Sequence, residues 1–135
     1  MDLKKLIQEI NVLGPWVHGY FDLGNGIIIE DQDELQKKRL FAIRDYLIDI
    51  ITKYYKTNDL QNKTLCDIGC NTGYFLYEIY KKIKIKKVVG VEPRTKNLEK
   101  AKFIANFFKL PKNKFILKKM DILSLGQKIE KFDIV

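Results

Sequence analysis

Apolar residues in the first half of the chain recur every three to four positions over two segments. The first segment, from Leu3 to Ile10, predicts a short amphipathic helix over residues 2–12 that ends before "LGP". The second, from Asp33 to about Tyr55, predicts the longest helix of the chain. Between them, "GNG" followed by "IIIE" predicts a tight turn that leads into a short strand.

The second half alternates short apolar runs with segments of helical period. The predicted order is strand 63–68, helix 73–84, strand 87–92, helix 95–109 and strand 114–120, and "FDIV" begins another strand. Strands that alternate with helices indicate a parallel sheet with helices on both faces. The predicted fold class is therefore α/β, a Rossmann-like doubly wound parallel sheet preceded by a helix and hairpin extension.

This order predicts one compact unit with two parts. Residues 1–60 form an N-terminal helical and hairpin lid, and residues 61–135 form a ligand-binding half-domain. The last residue, Val135, lies inside a predicted strand, so we expect a sheet truncated after the start of its fourth strand and a chain that is the front part of a longer protein. An incomplete sheet has a bare edge, which predicts self-association.

The net charge of +8 raises nucleic acid as a partner. However, 22 of the 25 basic residues are Lys, whereas sites that read phosphates and bases favour the bidentate guanidinium of Arg. Runs such as "KKIKIKK" are more typical of solvated helix ends and strand edges. The charge therefore leaves tRNA open as a partner without favouring it.

Nothing in the sequence indicates a membrane span or a signal peptide, because no apolar run approaches the roughly 20 residues that a span needs. A cytoplasmic protein is expected. The two cysteines, Cys66 and Cys70, have neither a second pair nor clustered histidines, so we predict reduced thiols and no metal site.

The loop after the first strand of the sheet contains the most informative motif, "TLCDIGCNTGYF" at residues 64–75. In a parallel sheet such a loop meets ligands at the carboxyl end of the strand. Gly69, Asn71 and Tyr74 occupy the three glycine positions of a dinucleotide fingerprint, so only one position matches. Asn71 tolerates the backbone angles that glycine adopts. The central Asn therefore departs from the pattern without breaking it.

Charge distinguishes the two nucleotide cofactors that suit such a loop. Asp67 precedes the first glycine by two residues, where its carboxylate would repel the pyrophosphate of NAD. S-adenosyl-L-methionine (SAM) has no phosphate, and its sulfonium and ammonium groups are cations. The motif therefore favours SAM over NAD.

With these residues, "DIGCNTGYF" resembles the first motif of the class I SAM-dependent methyltransferases, and the resemblance extends over residues 60–135. It implies that Asp67 contacts the methionine end of SAM and that the loop supplies backbone contacts. It further implies that Glu92, after the second strand, binds the ribose hydroxyls, as its two acceptor oxygens allow. The implied cofactor-binding residues are Asp67, Gly69, Cys70, Asn71, Gly73 and Glu92, with Pro93, Asp121 and Ile122 at the adenine.

Each of these residues also has a purely structural interpretation. Asp67 and Glu92 suit ordinary caps at strand ends, and Asp121 suits the N-cap of a helix or a turn. Aromatic residues that follow the loop, such as Tyr74 and Tyr77, more often face a core than a ligand. Asp133 more simply marks the start of a strand.

The segment "GPWVHGYFDLGNGIIIED" resembles the bacterial tRNA wobble-uridine carboxymethyltransferases and the methyltransferases grouped with them. The matching positions are Pro15, Trp16, Gly19, Phe21, Leu23 and Gly26. His18 stands where the tRNA enzymes have a basic residue, and "EDQDELQKK" replaces their carboxylate-binding Trp and Lys positions. These departures favour ordinary SAM over a carboxylated donor. His18 is also the weak candidate for a catalytic base, and its structural alternative is a hairpin histidine that bonds to the backbone.

These patterns predict the cofactor-binding part of a SAM-dependent methyltransferase. The scarcity of Arg favours a small-molecule or surface-polysaccharide sugar as the methyl acceptor. A tRNA-modifying methyltransferase and a non-catalytic SAM-binding module are the alternatives. The residue that meets the acceptor in this family normally follows the fourth strand, beyond Val135.

Overall fold

The computed structural model of the protein describes residues 2–127 and 131–135. Its N-terminal elements are α1 (Leu3–Leu13), β1 (Tyr20–Asp22), β2 (Ile28–Glu30), α2 (Glu34–Tyr54) and α3 (Thr57–Leu60). Its later elements are β3 (Thr64–Ile68), α4 (Tyr74–Lys82), β4 (Lys87–Val91), α5 (Thr95–Phe107), β5 (Phe115–Lys118) and α6 (Ile122–Gln127). The predicted alternation of strands and helices is confirmed, with most boundaries within two residues.

The parallel sheet has the strand order β3-β4-β5. On the open side of β3, Ile134 forms a single parallel bridge with Leu65. The strand predicted at "FDIV" is therefore present in the described residues as one bridge. The chain steps outward from β3 to β5 and then returns to the other side of β3. This reversal creates a crevice at the carboxyl end of β3, where ligands of open α/β sheets bind.

The two faces of this sheet are covered differently. Leu65, Val88 and Phe115 are neighbours in register and belong to the large core that also contains the buried residues of the helices. Their chain neighbours Cys66 and Val89 face the other way, into a small cluster to which no helical residue contributes in the described part of the chain. Right-handed crossovers in one direction place successive helices on the same face. Helices α4 and α5 therefore pack on the same face of the sheet, the face that carries the large core.

The N-terminal segment shares the large core with the sheet. The β1–β2 hairpin is antiparallel and turns at Asn25, as "GNG" predicts. Trp16 donates its indole N–H to the carbonyl of Ile10 at 2.9 Å and packs against Phe21 and Phe103. The division into a lid at 1–60 and a half-domain at 61–135 stays a prediction, as does self-association through the sheet edge.

Two local details were not predicted. The segment "KTNDLQNK" after α2 contains a one-turn helix, α3, which the buried side chain of Leu60 anchors. Helix α4 ends at Lys82 because Ile83 adopts an extended conformation. Ile83 and Ile85 are both buried, and burial of alternate residues requires extended backbone rather than helix. Among the helices of the described residues, none is long and apolar enough to cross a membrane.

Candidate functional site

The loop between β3 and α4 is held in a conformation that few residues tolerate. Gly69, Asn71 and Gly73 have φ angles of 76°, 52° and 79°. This is the left-handed region, which glycine adopts freely and asparagine more readily than most other residues. The expectation that Asn71 replaces a glycine without breaking the loop is confirmed.

The two glycines serve different purposes. A Cβ atom at Gly73 would lie 3.2 Å from Cβ of Ala101, so this glycine allows α4 to begin close against α5. A Cβ atom at Gly69 would meet no atom within 4 Å. The backbone at Gly69 therefore faces open space at the carboxyl end of β3, where a ligand can approach it directly.

The N–H groups of this loop already have partners. Those of Gly69 and Cys70 donate to the carbonyl of Val91 at 2.8 and 3.0 Å, and that of Gly73 donates to the carbonyl of Cys70 at 2.8 Å. The N–H of Asn71 donates to Oε2 of Glu92 at 3.0 Å. A pyrophosphate needs free N–H donors, whereas a cation needs acceptors. The loop therefore suits the ammonium and sulfonium of SAM better than NAD.

Glu92 is 4% exposed and lies directly after β4. Its Oε2 accepts the bond from Asn71, and its Oε1 accepts the N–H of Arg94 at 2.9 Å. These bonds match the structural interpretation of a cap at a strand end. Each carboxylate oxygen has a second lone pair, so acceptor capacity for a ribose hydroxyl remains. Its role in binding ribose stays a prediction.

Asp67 lies half-buried near the end of β3, and its register partner on β4 is Gly90. Burial, followed by repulsion from Glu92, raises the pKa of Asp67 to about 6. No cationic partner of this carboxylate is found in the described part of the chain. A carboxylate in this state is stabilised by an incoming cation, which is the role that the SAM ammonium would fill.

The residues predicted at the adenine lie at the same edge of the sheet. Pro93 is exposed after β4, and Ile122 is 63% exposed after β5. The two loops are joined, because Met120 donates its N–H to the carbonyl of Glu92 at 3.4 Å. Oδ1 of Asp121 accepts the N–H of Ser124 at 2.7 Å, and this bond lowers the pKa of Asp121. Asp121 is thus the N-cap of α6, which agrees with its structural interpretation. Its contact with adenine stays a prediction.

One hydrogen bond joins the N-terminal segment to the loop, and two more within that segment support it; the sequence revealed none of the three. The buried hydroxyl of Thr72 donates to the carbonyl of His18 at 3.1 Å. The N–H of His18 donates to Oδ2 of Asp31 at 3.1 Å, and the N–H of Asp31 donates to the carbonyl of Gly19. His18 has a φ of 59°. We call this set, His18, Gly19, Asp31 and Thr72, the lid clasp.

The clasp gives a structural role to two residues that the sequence did not single out, Thr72 and Asp31. One feature of the sequence could have indicated the role of Thr72. It is a polar residue between Asn71 and Gly73, two residues before the buried first residue of α4. Asp31 gives no such indication, because its neighbours in "EDQDE" are equally acidic. Asp31 is nearly buried, and hydrogen bonds from the N–H groups of Asp33 and His18 lower its pKa. The exposed imidazole of His18 has no assigned role, and its place as a catalytic base stays a prediction.

The aromatic residues after the loop belong to the core. Phe21 of the hairpin contacts the rings of Tyr74 and Tyr77, and both tyrosines are buried. Burial raises the pKa of each to about 12, so the phenols stay protonated at neutral pH. Their structural interpretation is confirmed.

Cys66 and Cys70 are buried thiols that form no disulfide with each other. Burial raises the pKa of the Cys70 thiol, with a further contribution from nearby Asp67. In residues 2–127 and 131–135, no group of three His, Cys, Asp or Glu side chains is arranged to hold a metal ion.

Fold, loop and carboxylates together define a nucleotide-cofactor domain of the methyltransferase type. Residues 59–135, more than half of the chain, match the family described as "Methyltransferase domain". The chain belongs to this family. Because the family is SAM-dependent, the predicted cofactor and enzyme class are confirmed at the level of the family.

Relatives with assigned functions match along the whole chain. It is 28% identical over 136 residues to the tRNA U34 carboxymethyltransferase of Helicobacter acinonychis (strain Sheeba), covering 100% of this chain and 46% of the relative. It is 27% identical over 135 residues to the enzyme of the same name from Campylobacter hominis, covering 99% of this chain and 41% of that relative. The chain thus spans less than half the length of these relatives.

Solved structures show the same fold at lower identity. The N-terminal domain of EvdMO1 with SAH bound has a TM-score of 0.68 and 20% identity, and the match covers 99% of this chain and 53% of that one. Magnesium protoporphyrin IX methyltransferase of Synechocystis PCC 6803 with bound SAM has a TM-score of 0.56 and 17% identity, covering 99% and 61%. The Rossmann-like fold class is confirmed.

Proposed function

We propose that this chain binds SAM and supplies the cofactor-binding part of a methyltransferase that acts in the cytoplasm. The observation that carries the proposal is Asp67, a half-buried carboxylate beside Glu92 with no cationic partner among the described residues. It lies two residues before Gly69, whose backbone faces open space. Two neighbouring carboxylates beside open backbone fit a ligand with cationic groups.

In this proposal each residue has a defined task. Asp67 binds the ammonium, the loop from Gly69 to Gly73 lets the methionine moiety approach the backbone, and Glu92 accepts the ribose hydroxyls. Pro93 and Ile122 offer apolar surface to the adenine. Bound SAM would supply a methyl group on a sulfonium: a nucleophile of the acceptor would bond to the methyl carbon in line with the carbon–sulfur bond that breaks, and the neutral thioether would leave. The protein then contributes alignment and exclusion of water, and the lid clasp closes the site from the N-terminal side.

Calorimetric titration tests this assignment. The parent chain is expected to bind SAM and not NADH, and Asp67→Asn is expected to weaken SAM binding at least tenfold because it removes the charge that faces the ammonium. Asp49→Asn, an exposed carboxylate on α2, is the matched control and should bind like the parent. NADH binding, or equal SAM affinities of the parent and Asp67→Asn, would contradict the proposal.

For the methyl acceptor we place tRNA first. The supporting observation is the similarity to the tRNA U34 carboxymethyltransferases, which runs through the N-terminal segment as well as the methyltransferase domain. A small molecule or a sugar of a surface polysaccharide is the second candidate. A cavity of about 500 Å³ beside the hairpin favours it, since Trp16, Glu30 and Asp31 are among its lining residues, and aromatic and carboxylate groups suit sugars.

The two acceptors predict different binding behaviour. Affinity for tRNA should fall steeply with salt, because each phosphate contact releases counterions, whereas binding of a neutral sugar should change little. A tRNA affinity that does not depend on salt would remove the first candidate. SAM binding without methyl transfer to either class, measured on the full-length protein, would favour the non-catalytic module.

A further inference from the structure

The positive charge of this protein is concentrated in one part of the chain. Residues 79–120 contain 14 of the 25 basic residues and only two of the 17 acidic ones, Glu92 and Glu99, which gives this segment a net charge of +12. The rest of the chain therefore carries −4, since the total is +8. Surface charge that served only solubility would not need to be concentrated in one segment of the chain.

The structure gathers part of this charge at the end of the sheet opposite to the cofactor loop. A groove of about 450 Å³ lies beside the segments that precede β4 and β5. Four lysines line it, together with Gln61, Tyr80 and two isoleucines, and no carboxylate is among its lining residues. The four are Lys81, Lys84, Lys86 and Lys114.

Some lysines elsewhere in the structure are paired with carboxylates. Lys37, for example, contacts Glu30 and Glu34, and Lys53 contacts Asp49. Within residues 2–127 and 131–135, no carboxylate lies within 4 Å of the ammonium groups of the four groove lysines. The positive charge of the groove is therefore uncompensated by the protein.

The backbone fixes how two of these lysines are presented. Ile83 and Ile85 are buried at 5% and 7% exposure, and Lys84 and Lys86 between and after them are exposed. In extended chain, alternate residues share one side. The two ammonium groups thus follow each other along one edge, with Lys114 brought beside them by the bond from Val88 N–H to the Lys114 carbonyl.

A second hollow continues the groove. It measures about 340 Å³ between α5 and β5, and Lys102, Asn106 and Lys112 help to line it. Lys112 and Lys114 lie on the same short loop before β5, so they connect the two hollows. We define the lysine face as Lys81, Lys84, Lys86, Lys102, Lys112 and Lys114.

We propose that the lysine face binds the phosphate backbone of RNA and holds the body of the acceptor away from the edge where the methyl group is transferred. A row of uncompensated ammonium groups across two hollows matches a chain of phosphates better than one compact anion. Lysine acts as a point charge and reads no base pattern, so this face adds affinity without sequence preference. The inference rests on the tRNA acceptor proposed above and specifies where that acceptor is held.

The test is the binding of fluorescently labelled tRNA to the full chain, measured by anisotropy at several salt concentrations. The variant K84E/K86E/K114E removes three groove lysines. The control K4E/K5E/K38E changes the net charge equally on α1 and α2, where these lysines are exposed. The groove variant should bind at least tenfold more weakly than the parent and the control less than threefold more weakly. The slope of log affinity against log salt should fall by about 2 to 3 in the groove variant only.

Equal losses in the two variants, or an unchanged slope in the groove variant, would overturn the lysine face. The neutral variant K84Q/K114Q repeats the test with milder changes if the triple variant unfolds. Vesicles of phosphatidylglycerol and poly-glutamate are the competing ligands, and binding of either that matches tRNA at equal salt would also overturn the inference. SAM titration of the same variants should give parent affinities, so a failure of SAM binding in the parent contradicts the proposed function and leaves the RNA result to be judged separately.

Discussion

At the scale of single residues, the negative charge of Asp67 lowers the stability of the protein but suits the binding of a cation. Burial and the nearby Glu92 oppose its negative charge and raise its pKa to about 6. A ligand with an ammonium group offsets this effect. The residue that we propose for cofactor binding is therefore one whose charge costs stability when no cation is bound beside it.

SAM affinity should consequently depend on pH. Above pH 6 Asp67 is ionised and attracts the ammonium, and below pH 6 it is protonated and neutral. Affinity is expected to fall by up to about tenfold per pH unit below 6, because binding then requires the loss of one proton. Titration calorimetry between pH 4.5 and 8 measures this. Asp67→Asn should show a flat profile, and an equally steep profile in that variant would refute the assignment.

The stability of the protein without SAM should depend on pH in the opposite direction to the SAM affinity, so it should rise as the pH falls. Because the pKa of Asp67 is raised above its unfolded value, the folded state binds the proton more tightly than the unfolded state. The destabilisation is present above pH 6 and disappears as the pH falls through 6 toward 4. At pH 7, Asp67→Asn should raise the free energy of unfolding by about 1–2 kcal/mol. Urea denaturation at pH 7 checks this, and a destabilised variant would contradict it.

Gly69 and Gly73 form a matched pair for a test of the loop. Both have positive φ, so an alanine strains either position by about 1 kcal/mol. Only Gly73→Ala also presses against Ala101, so it should lose about 2–3 kcal/mol of stability in total. Gly69→Ala should fold nearly as well as the parent and lose SAM affinity, since its methyl group occupies the open space beside Asp67. Thermal melting and SAM titration of both variants separate the two effects, and equal stability losses would contradict the packing role of Gly73.

At the scale of elements, the lid clasp joins the hairpin to the loop between β3 and α4. One of its bonds links residues 54 positions apart, His18 and Thr72. Thr72 is 0% exposed, so no water molecule competes with its hydroxyl for the carbonyl of His18. This buried bond adds a directional contact to the aromatic packing that already holds the hairpin against the loop and α4.

Thr72→Val keeps the shape of the side chain and removes the donor. The His18 carbonyl then loses its partner, which should cost about 1–2 kcal/mol and release the hairpin. Hydrogen exchange of residues 16–22 should become faster, and SAM should dissociate faster. Thr52→Val is the control, since the Thr52 hydroxyl bonds only to carbonyls of its own helix and is exposed. Unchanged exchange in Thr72→Val would show that the clasp does not hold the lid.

The elements themselves could largely be predicted from the sequence, because their periods are local properties of the chain. The loop conformation was also accessible, since Gly69, Asn71 and Gly73 are residue types that tolerate positive φ. The clasp was not, because no local pattern distinguishes Asp31 from the acidic residues around it. Burial of Lys100, which donates to the carbonyl of Pro15 and lies near the Trp16 ring, was likewise hidden. Lysine is rarely buried, so a sequence pattern places Lys100 at the surface. Its burial follows from the packing of α1 against α5, which the sequence does not show. Asp121 was ambiguous because capping and ligand contact require the same carboxylate.

At the scale of the whole molecule, the asymmetric charge should affect stability as well as RNA binding. Repulsion among the lysines of residues 79–120 opposes the compact state, and salt screens it. The melting temperature should therefore rise between 50 and 300 mM NaCl. The rise should be smaller in K84E/K86E/K114E than in K4E/K5E/K38E. Differential scanning calorimetry measures both, and equal rises in the two variants would show that repulsion is spread over the surface.

Trp16 is the only tryptophan of the chain, and its ring packs against Phe103 on α5. During synthesis, residue 16 leaves the ribosome long before residue 103, so Trp16 is made without its partner on α5. This segment therefore depends on the late arrival of α5, and its apolar surface is available to chaperones in the interval. In refolding experiments, the fluorescence of Trp16 should accordingly report when α5 docks against the N-terminal segment.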